Sequence, residues 1–198
     1  MGYGQYYVLQ HLPFVDCLPY KRGNDIQEQM KTPAGAVPDS VSIQMSFKKN
    51  GKNVQFDINQ FPTDFDSTYV YQDRKEVLIQ KGNGKVAKIV DFSLFTLNNE
   101  DTTDALFNAA TPYVLIFSGN VDTSIPWETL IKTIQQKNQQ VYLITADKAN
   151  ALQLKLDIPI LIGDMTMIKT AARVWPTVAV MNGSTIMEKQ SYLDYLKK

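Results

Sequence analysis

The sequence predicts an α/β protein: over residues 86–198 a three-layer sandwich of one sheet between helices, and over residues 1–85 an antiparallel β-rich extension. Three observations carry the prediction. From Ile89 onward, apolar strand-like runs alternate with segments of helical period, as in parallel strands joined by crossover helices. Ahead of that region, Val41 to Phe47 and Val54 to Ile58 alternate apolar and polar residues on either side of Asn50-Gly51, which is the pattern of a hairpin. Gly82-Asn83-Gly84 separates the two patterns. It is a G-x-G, but no helix follows it, so it reads as a turn and not as a phosphate loop.

In chain order, residues 3 to 40 are rich in Tyr, Pro and Gly without sustained period, so they read as an extended wrapping segment that docks through its aromatics, with a short helical turn near Ile26 to Met30. After the hairpin, Thr68 to Gln72 and Glu76 to Gln80 read as two further strands on either side of Asp73-Arg74-Lys75. The whole of 41 to 80 is expected to form an antiparallel layer of its own, packed on the larger sheet because a hairpin alone is marginal in water. Ile89 to Phe95 reads as a strand and Thr103 to Ala109 as a short helix. Pro112 to Phe117 is apolar enough for a strand buried on both faces.

The segment Ser124 to Lys137 places Trp127, Leu130, Ile131 and Ile134 on one helical face, with Pro126 suited to the first turn. Val141 to Ile144 follows as a second buried strand, Lys148 to Leu156 as a helix, Pro159 to Ile162 as a short strand and Thr166 to Val174 as a helix. Thr177 to Met181 is a buried strand opened by Pro176. Asn182-Gly183 then predicts a type I′ hairpin turn, and Ser191 to Lys197 closes the chain as a helix. A proline that opens a central strand directly after a helix predicts a cis bond at Trp175-Pro176.

Composition narrows the function classes. Twenty basic and twenty acidic residues cancel, without a block of like charge, so nothing points to nucleic acid or a polybasic membrane patch. The single cysteine, Cys17, rules out an intramolecular disulfide, a Cys-x-x-Cys centre and a cysteine-rich zinc site. No run approaches the roughly 18 apolar residues of a membrane span, and the N-terminus lacks the order of a signal peptide. Met1-Gly2 ahead of Tyr3-Gly4-Gln5 reads as a start placed at a boundary inside a longer protein.

The order strand, helix, strand, helix, hairpin, helix resembles the thioredoxin-like fold over about residues 86 to 198. The lead-in Val90-Asp91-Phe92-Ser93-Leu94 and the insertion Lys148 to Val174 are similar to those of peroxiredoxin-like and membrane-anchored thiol-disulfide proteins. In that family the nucleophilic thiol stands at the N-terminus of the first helix, where the helix dipole stabilises a thiolate. Asp122-Thr123-Ser124-Ile125 stands where Cys-x-x-Cys would be, and Ser118 to Ile125 contains no sulfur. Thiol-disulfide exchange is chemically excluded at that place.

A second resemblance lies upstream. His11-Leu12-Pro13 and Asp16-Cys17-Leu18-Pro19-Tyr20-Lys21-Arg22-Gly23-Asn24-Asp25-Ile26 is similar to a run that precedes the thioredoxin-like part of DoxX-like (DoxD-like) membrane proteins of Bacteroidetes. That resemblance implies a soluble C-terminal region on the periplasmic side of the inner membrane, continuous with a membrane-helix region not in this chain.

Each candidate residue has a structural alternative. Cys17 lies among Leu and Pro without a second cysteine, which favours burial over reactivity. His11, the only histidine, neighbours Leu12 and Pro13 and so argues for neither a base nor a metal ligand. Asp64 and Asp66 form a D-x-D without the further oxygens that calcium requires. Tyr69 and Tyr71 fit packing before they fit a binding platform. Asn182-Gly183-Ser184 matches a glycosylation acceptor but is explained by turn geometry. Asp122, Thr123 and Ser124 are preferred N-cap residues, and Ser124 lacks a base to make it a nucleophile.

No catalytic residue, metal or cofactor is therefore expected. The leading expectation is a non-catalytic module that binds a polypeptide or partner domain at the former active-site edge: Asp122, Thr123, Ser124, Trp175 and Pro176. Trp175 is expected to cover the vacated site and to shield Asp122. The alternative is an accessory component of a membrane thiol or quinone redox system, with Cys17 or a partner's thiol contributing.

Overall fold

A computed structural model describes residues 10–13 and 15–197. Tyr3, Tyr6 and Tyr7, among the aromatics expected to dock the N-terminal segment, lie outside the described residues, as does the Met1-Gly2 start. The architecture is mixed α/β, with two sheets and, among the described residues, six helices and nine strands. The chain divides into two compact units: Thr32–Val86, and one that joins the residues up to Lys31 to Ala87–Lys198. The division at 86/87 falls beside the expected boundary, but the segment before Lys31 groups with the larger sheet and not with the hairpin. No helix among the described residues is long and apolar enough to cross a membrane.

In the smaller unit β1 (Ser40–Lys49) lies between β2 (Lys52–Asp57) and β3 (Val70–Gln80), antiparallel to both. Asn50 (φ 49°) and Gly51 (φ 79°) supply the two positive angles of a type I′ turn, as the Asn-Gly pair predicts. Alternation places Val41, Ile43, Met45 and Phe47 on one face and Ser42, Gln44 and Ser46 on the other. Phe47 is buried beneath the rings of Phe56, Phe61, Phe65, Tyr69 and Tyr71, with centroids 5.1 to 6.2 Å away. Tyr69 and Tyr71 therefore pack, as expected.

Two strands were expected around Asp73-Arg74-Lys75, but β3 runs through these residues without interruption. It is an edge strand whose side chains are almost all exposed, so the charged triplet meets water and no turn is required. Register shifts opposite Ser40/Val41 and Ser46/Phe47 leave Ile79 and Gln72 unpaired in bulges.

The larger sheet has the order β4-β7-β6-β5-β8-β9. Its centre is β5 (Tyr113–Phe117), β6 (Gln140–Thr145) and β7 (Ile160–Gly163), parallel to one another. β8 (Thr177–Asn182) runs antiparallel to β5, β9 (Thr185–Ser191) antiparallel to β8, and β4 (Leu94–Phe95) antiparallel to β7. Every residue of β5 is buried. Tyr113, Leu115 and Phe117 enter one apolar cluster, and Val114 and Ile116 enter another on the opposite face.

The first cluster takes Ile26 of α1 (Ile26–Met30), Leu106 and Phe107 of α2 (Thr103–Phe107), and Met167, Ile168 and Ala171 of α5 (Met165–Ala171). The second takes Trp127, Leu130, Ile131 and Ile134 of α3 (Trp127–Gln135), Ala151 of α4 (Lys148–Gln153) and Tyr195 of α6 (Tyr192–Tyr195). Burial of each such Leu or Ile contributes about 1.5 to 3 kcal/mol, which outweighs the modest intrinsic propensity of helices this short.

Two expected elements differ. Ile89 to Phe95 yields a strand only at Leu94–Phe95: the buried residues are Ile89, Phe92 and Leu94, while Val90 is 88% exposed, so period two is broken and the chain anchors at points instead of pairing. The last hairpin pairs Asn182 with Thr185, so its two-residue loop is Gly183-Ser184 and not Asn182-Gly183. Only Gly183 (φ 57°) has a positive angle, which fits glycine first in a type II′ turn.

The segment before Lys31 is fastened to that hairpin. Gly23 N–H donates to Ile186 O (2.7 Å), Ile186 N–H to Asn24 O (3.0 Å) and Ile26 N–H to Ser184 O (2.9 Å). Asp25 caps α1 through Glu28 N–H (2.9 Å) and accepts the Ser184 and Thr185 hydroxyls, which hold its carboxyl below the usual range against the opposing effect of burial. Tyr20 and Ile26 are buried, and Tyr20 meets Phe92 at 6.0 Å.

Candidate functional site

The edge is built from two loops at the ends of central strands. One leaves β5 at Ser118, whose N–H extends the parallel ladder to Ile144 O (2.9 Å) and whose hydroxyl donates to Asn120 O (2.7 Å). Gly119 O accepts the Thr145 hydroxyl (3.2 Å), and Val121 N–H reaches Asp147 (3.4 Å). The other loop enters β8 through Trp175 and Pro176, and the bond between them is cis, as the sequence predicts. Pro176 is buried and its carbonyl accepts Tyr192 N–H (3.0 Å), while the Thr177 hydroxyl donates to Val174 O (2.6 Å).

Trp175 lies where the loops meet. Its indole N–H donates to Ala172 O (3.1 Å), and its six-membered ring covers Gly119. A Cβ at Gly119 would stand 2.5 Å from the ring's Cη2 and 2.9 Å from Met165 Sδ, so the ring occupies the space that a side chain would need. The backbone N–H and C=O of Trp175 have no hydrogen-bond partner among the described residues. Gly119 and Met165 complete this edge without having been marked by the sequence. What a missing Cβ at Gly119 makes room for is not written in the local sequence.

Asp122, Thr123 and Ser124 are exposed, and they do not cap a helix. The expected start at Ser124 moves to Trp127, with Pro126 at the cap position and no side-chain cap bond. Pro126 is the cause: it steers Ile125 away from helical angles and supplies no N–H, so residues 122–125 close as a separate turn. The Asp122 carboxylate accepts Ser124 N–H (2.8 Å), which holds its pKa below the ordinary carboxylate value, and its carbonyl accepts the Trp127 indole N–H (2.8 Å). The shielding expected of Trp175 falls on Gly119, and the Asp122 side chain remains in solvent.

The other candidates separate. Cys17 is exposed, contrary to expectation, because Tyr20 and Ile26 take the buried positions of its segment. His11 Nδ1 is 2.8 Å from Asp194, which also accepts the Ser191 hydroxyl (2.8 Å); this fastens the segment to α6. Asp64 bridges Lys49 (2.6 Å), whose ammonium lies 4.1 Å from the Tyr69 ring, and Asp66 accepts Thr68 N–H (3.0 Å). Ser184, the third residue of the glycosylation match, is buried and bonded to Asp25 (2.7 Å).

A family model described as "Domain of unknown function (DUF8463)" matches residues 42–81, which takes in nearly all of the three-stranded sheet and none of the Trp175 edge. No curated protein and no solved structure matches the chain.

Proposed function

We propose that the larger unit is a thioredoxin-like three-layer domain without redox chemistry, and that it binds an extended polypeptide or a partner domain at the edge formed by Asp122–Ser124, Trp175 and Pro176. The observation that carries this reading is the backbone of Trp175, unpaired among the described residues, next to a proline that has no N–H to offer. An incoming strand that meets those two groups gains main-chain hydrogen bonds, and such recognition needs no cysteine. The strand order and the helices on both faces support the fold assignment.

The test is selection of peptides from a displayed random library against the 198-residue chain, followed by hydrogen exchange. A selected peptide is expected to slow exchange at the Trp175 amide and to bind about tenfold more weakly to the Asp122→Arg variant, whose exposed site tolerates the change. Protection elsewhere with Trp175 unaffected sinks the reading.

We further propose, on the resemblance of His11-Leu12-Pro13 and Asp16 to Ile26 to DoxX-like proteins, that this module lies on the periplasmic side of the inner membrane, beside a membrane-helix region. The exposure of Cys17 favours one second reading, an accessory role in a membrane thiol or quinone redox system. Native Cys17 is then expected to react with iodoacetamide at about the rate of a free peptide thiol and to form a mixed disulfide with a membrane partner. Fast alkylation without any such partner leaves the binding module alone.

A further inference from the structure

β3 is one edge of the three-stranded sheet, and strand alternation fixes which of its backbone groups are open. The two-residue loop Asn50-Gly51 makes Lys49 and Lys52 a hydrogen-bonded pair, and the alternation reaches Ile43, whose carbonyl accepts Ile58 N–H (2.8 Å). Odd-numbered residues of β1 therefore bond to β2, and Ser42, Gln44 and Ser46 bond to their partners Val77, Lys75 and Asp73 in β3. Arg74, Glu76 and Leu78 then turn their N–H and C=O outward, where no strand meets them among the described residues. We propose that this edge pairs antiparallel with β3 of a second copy of the chain, about a two-fold axis through Lys75, and so joins two three-stranded sheets into one.

Charge selects both the partner and the register. Arg74 and Glu76 lie opposite Met45 and Ile43 of β1, and neither side chain has a hydrogen-bond or ion-pair partner among the described residues. A two-fold pairing centred on Arg74 or on Glu76 sets like charges face to face, and one centred on Val77 sets Glu76 against Leu78. Centred on Lys75, the pairing sets Arg74 of each copy against Glu76 of the other, with both main-chain hydrogen bonds exchanged in each pair. The two Lys75 side chains then meet across the axis on the polar face, each with Asp73 of the other copy at the diagonal position.

The apolar face gains continuity from the same pairing. Tyr71 and Leu78 are exposed, and they share a face with Phe47 and Val41, their partners in β1. In the paired sheet Leu78 of one copy comes beside Tyr71 and Gln72 of the other, so two apolar strips become one. The bulges at Gln72 and Ile79 bound the regular run at residues 73–78, which keeps the pairing short. The other edge, β2, carries no such pattern: its outward residues Asn53 and Gln55 are uncharged, and Asp57 O already accepts Gln60 N–H (2.9 Å). Association therefore closes at two copies.

Sedimentation equilibrium of the full 198-residue chain in reducing buffer, from ~1 μM to ~1 mM, is expected to show a monomer–dimer equilibrium with a Kd of about 10 to 100 μM, as suits a small interface. Arg74→Glu and Glu76→Arg are each expected to weaken the dimer about tenfold, their equimolar mixture to form heterodimers, and the double exchange Arg74→Glu/Glu76→Arg to restore the homodimer. Both sites are exposed, so the variants keep the fold. In a Cys17→Ser background, Lys75→Cys is expected to form an intermolecular disulfide under copper-phenanthroline oxidation and Asp73→Cys is not, since only position 75 meets itself across the axis. A monomer throughout, a dimer indifferent to both charge reversals, a double exchange that stays monomeric, or no cross-link at position 75 would each overturn the pairing.

Discussion

Replacing Asp16 with alanine is expected to remove about 3 to 5 kcal/mol of stability from the larger unit at neutral pH. The Lys189 side chain is 4% exposed, and its ammonium donates to Asp16 (2.8 Å) and to Tyr20 O (2.9 Å). Without the carboxylate, a buried positive charge keeps one neutral acceptor and stands near Arg173, which already disfavours it. Lys189→Met in the same background should recover most of the loss, because the cost arises from the stranded charge and not from missing attraction.

The pH dependence has a definite sign. Burial lowers the folded-state pKa of Lys189 below its ordinary 10.5 despite the opposing pull of Asp16, and removal of Asp16 lowers it further. Between the folded and unfolded values the unfolded chain holds a proton that the folded chain has released, so stability rises with pH there. The deficit of Asp16→Ala should therefore shrink as pH rises toward the ordinary lysine value. Both tryptophans, Trp127 and Trp175, belong to this unit, so urea titration followed by their fluorescence isolates its transition. A loss under about 1 kcal/mol at pH 7, or a deficit that grows with pH, contradicts this account.

That ion pair also marks the limit of what the sequence discloses. Its partners are 173 residues apart, and neither sits in a pattern that announces the other. Period and turn chemistry did disclose β5, β6, β8 and the apolar face of α3, because burial on one or both faces imposes a rhythm on consecutive residues. The rhythm misleads where burial is set point by point: Ile89, Phe92 and Leu94 anchor a segment that is almost entirely unpaired. It misleads also where no burial is required, as at Asp73-Arg74-Lys75, since an edge strand in water carries charge at no cost.

The candidate edge was legible in part for the same reasons. Pro176 opening a buried strand is a local signal, and it led to the cis bond and to Trp175. Asp122-Thr123-Ser124 satisfied a local rule for caps, but Pro126 two residues on decided where the helix begins.

Gly119→Ala is the substitution that tests the assembly of the edge itself, with an expected cost of about 1 to 3 kcal/mol. The added Cβ would lie 2.5 and 2.6 Å from two carbons of the Trp175 ring and 2.9 Å from Met165 Sδ, distances at which something must move. The backbone is not the source of the cost, since Gly119 is not among the positive-φ residues and alanine accepts its angles. The indole cannot swing away freely, because its N–H is held by Ala172 O and its ring packs against the apolar cluster beneath. Trp175→Leu removes the distal ring carbons, so Gly119→Ala made in that background should cost no more than about 0.5 kcal/mol. The coupling between the two sites should then be about 1 to 2 kcal/mol, well above the error of additivity. The near-ultraviolet circular dichroism of Gly119→Ala should change as the indole leaves its position, while the Trp127 indole stays bonded to Asp122 O. A cost that is the same with tryptophan or leucine at position 175 would mean that Gly119 serves the β5 loop alone, and the shielding role given to Trp175 would have to be abandoned.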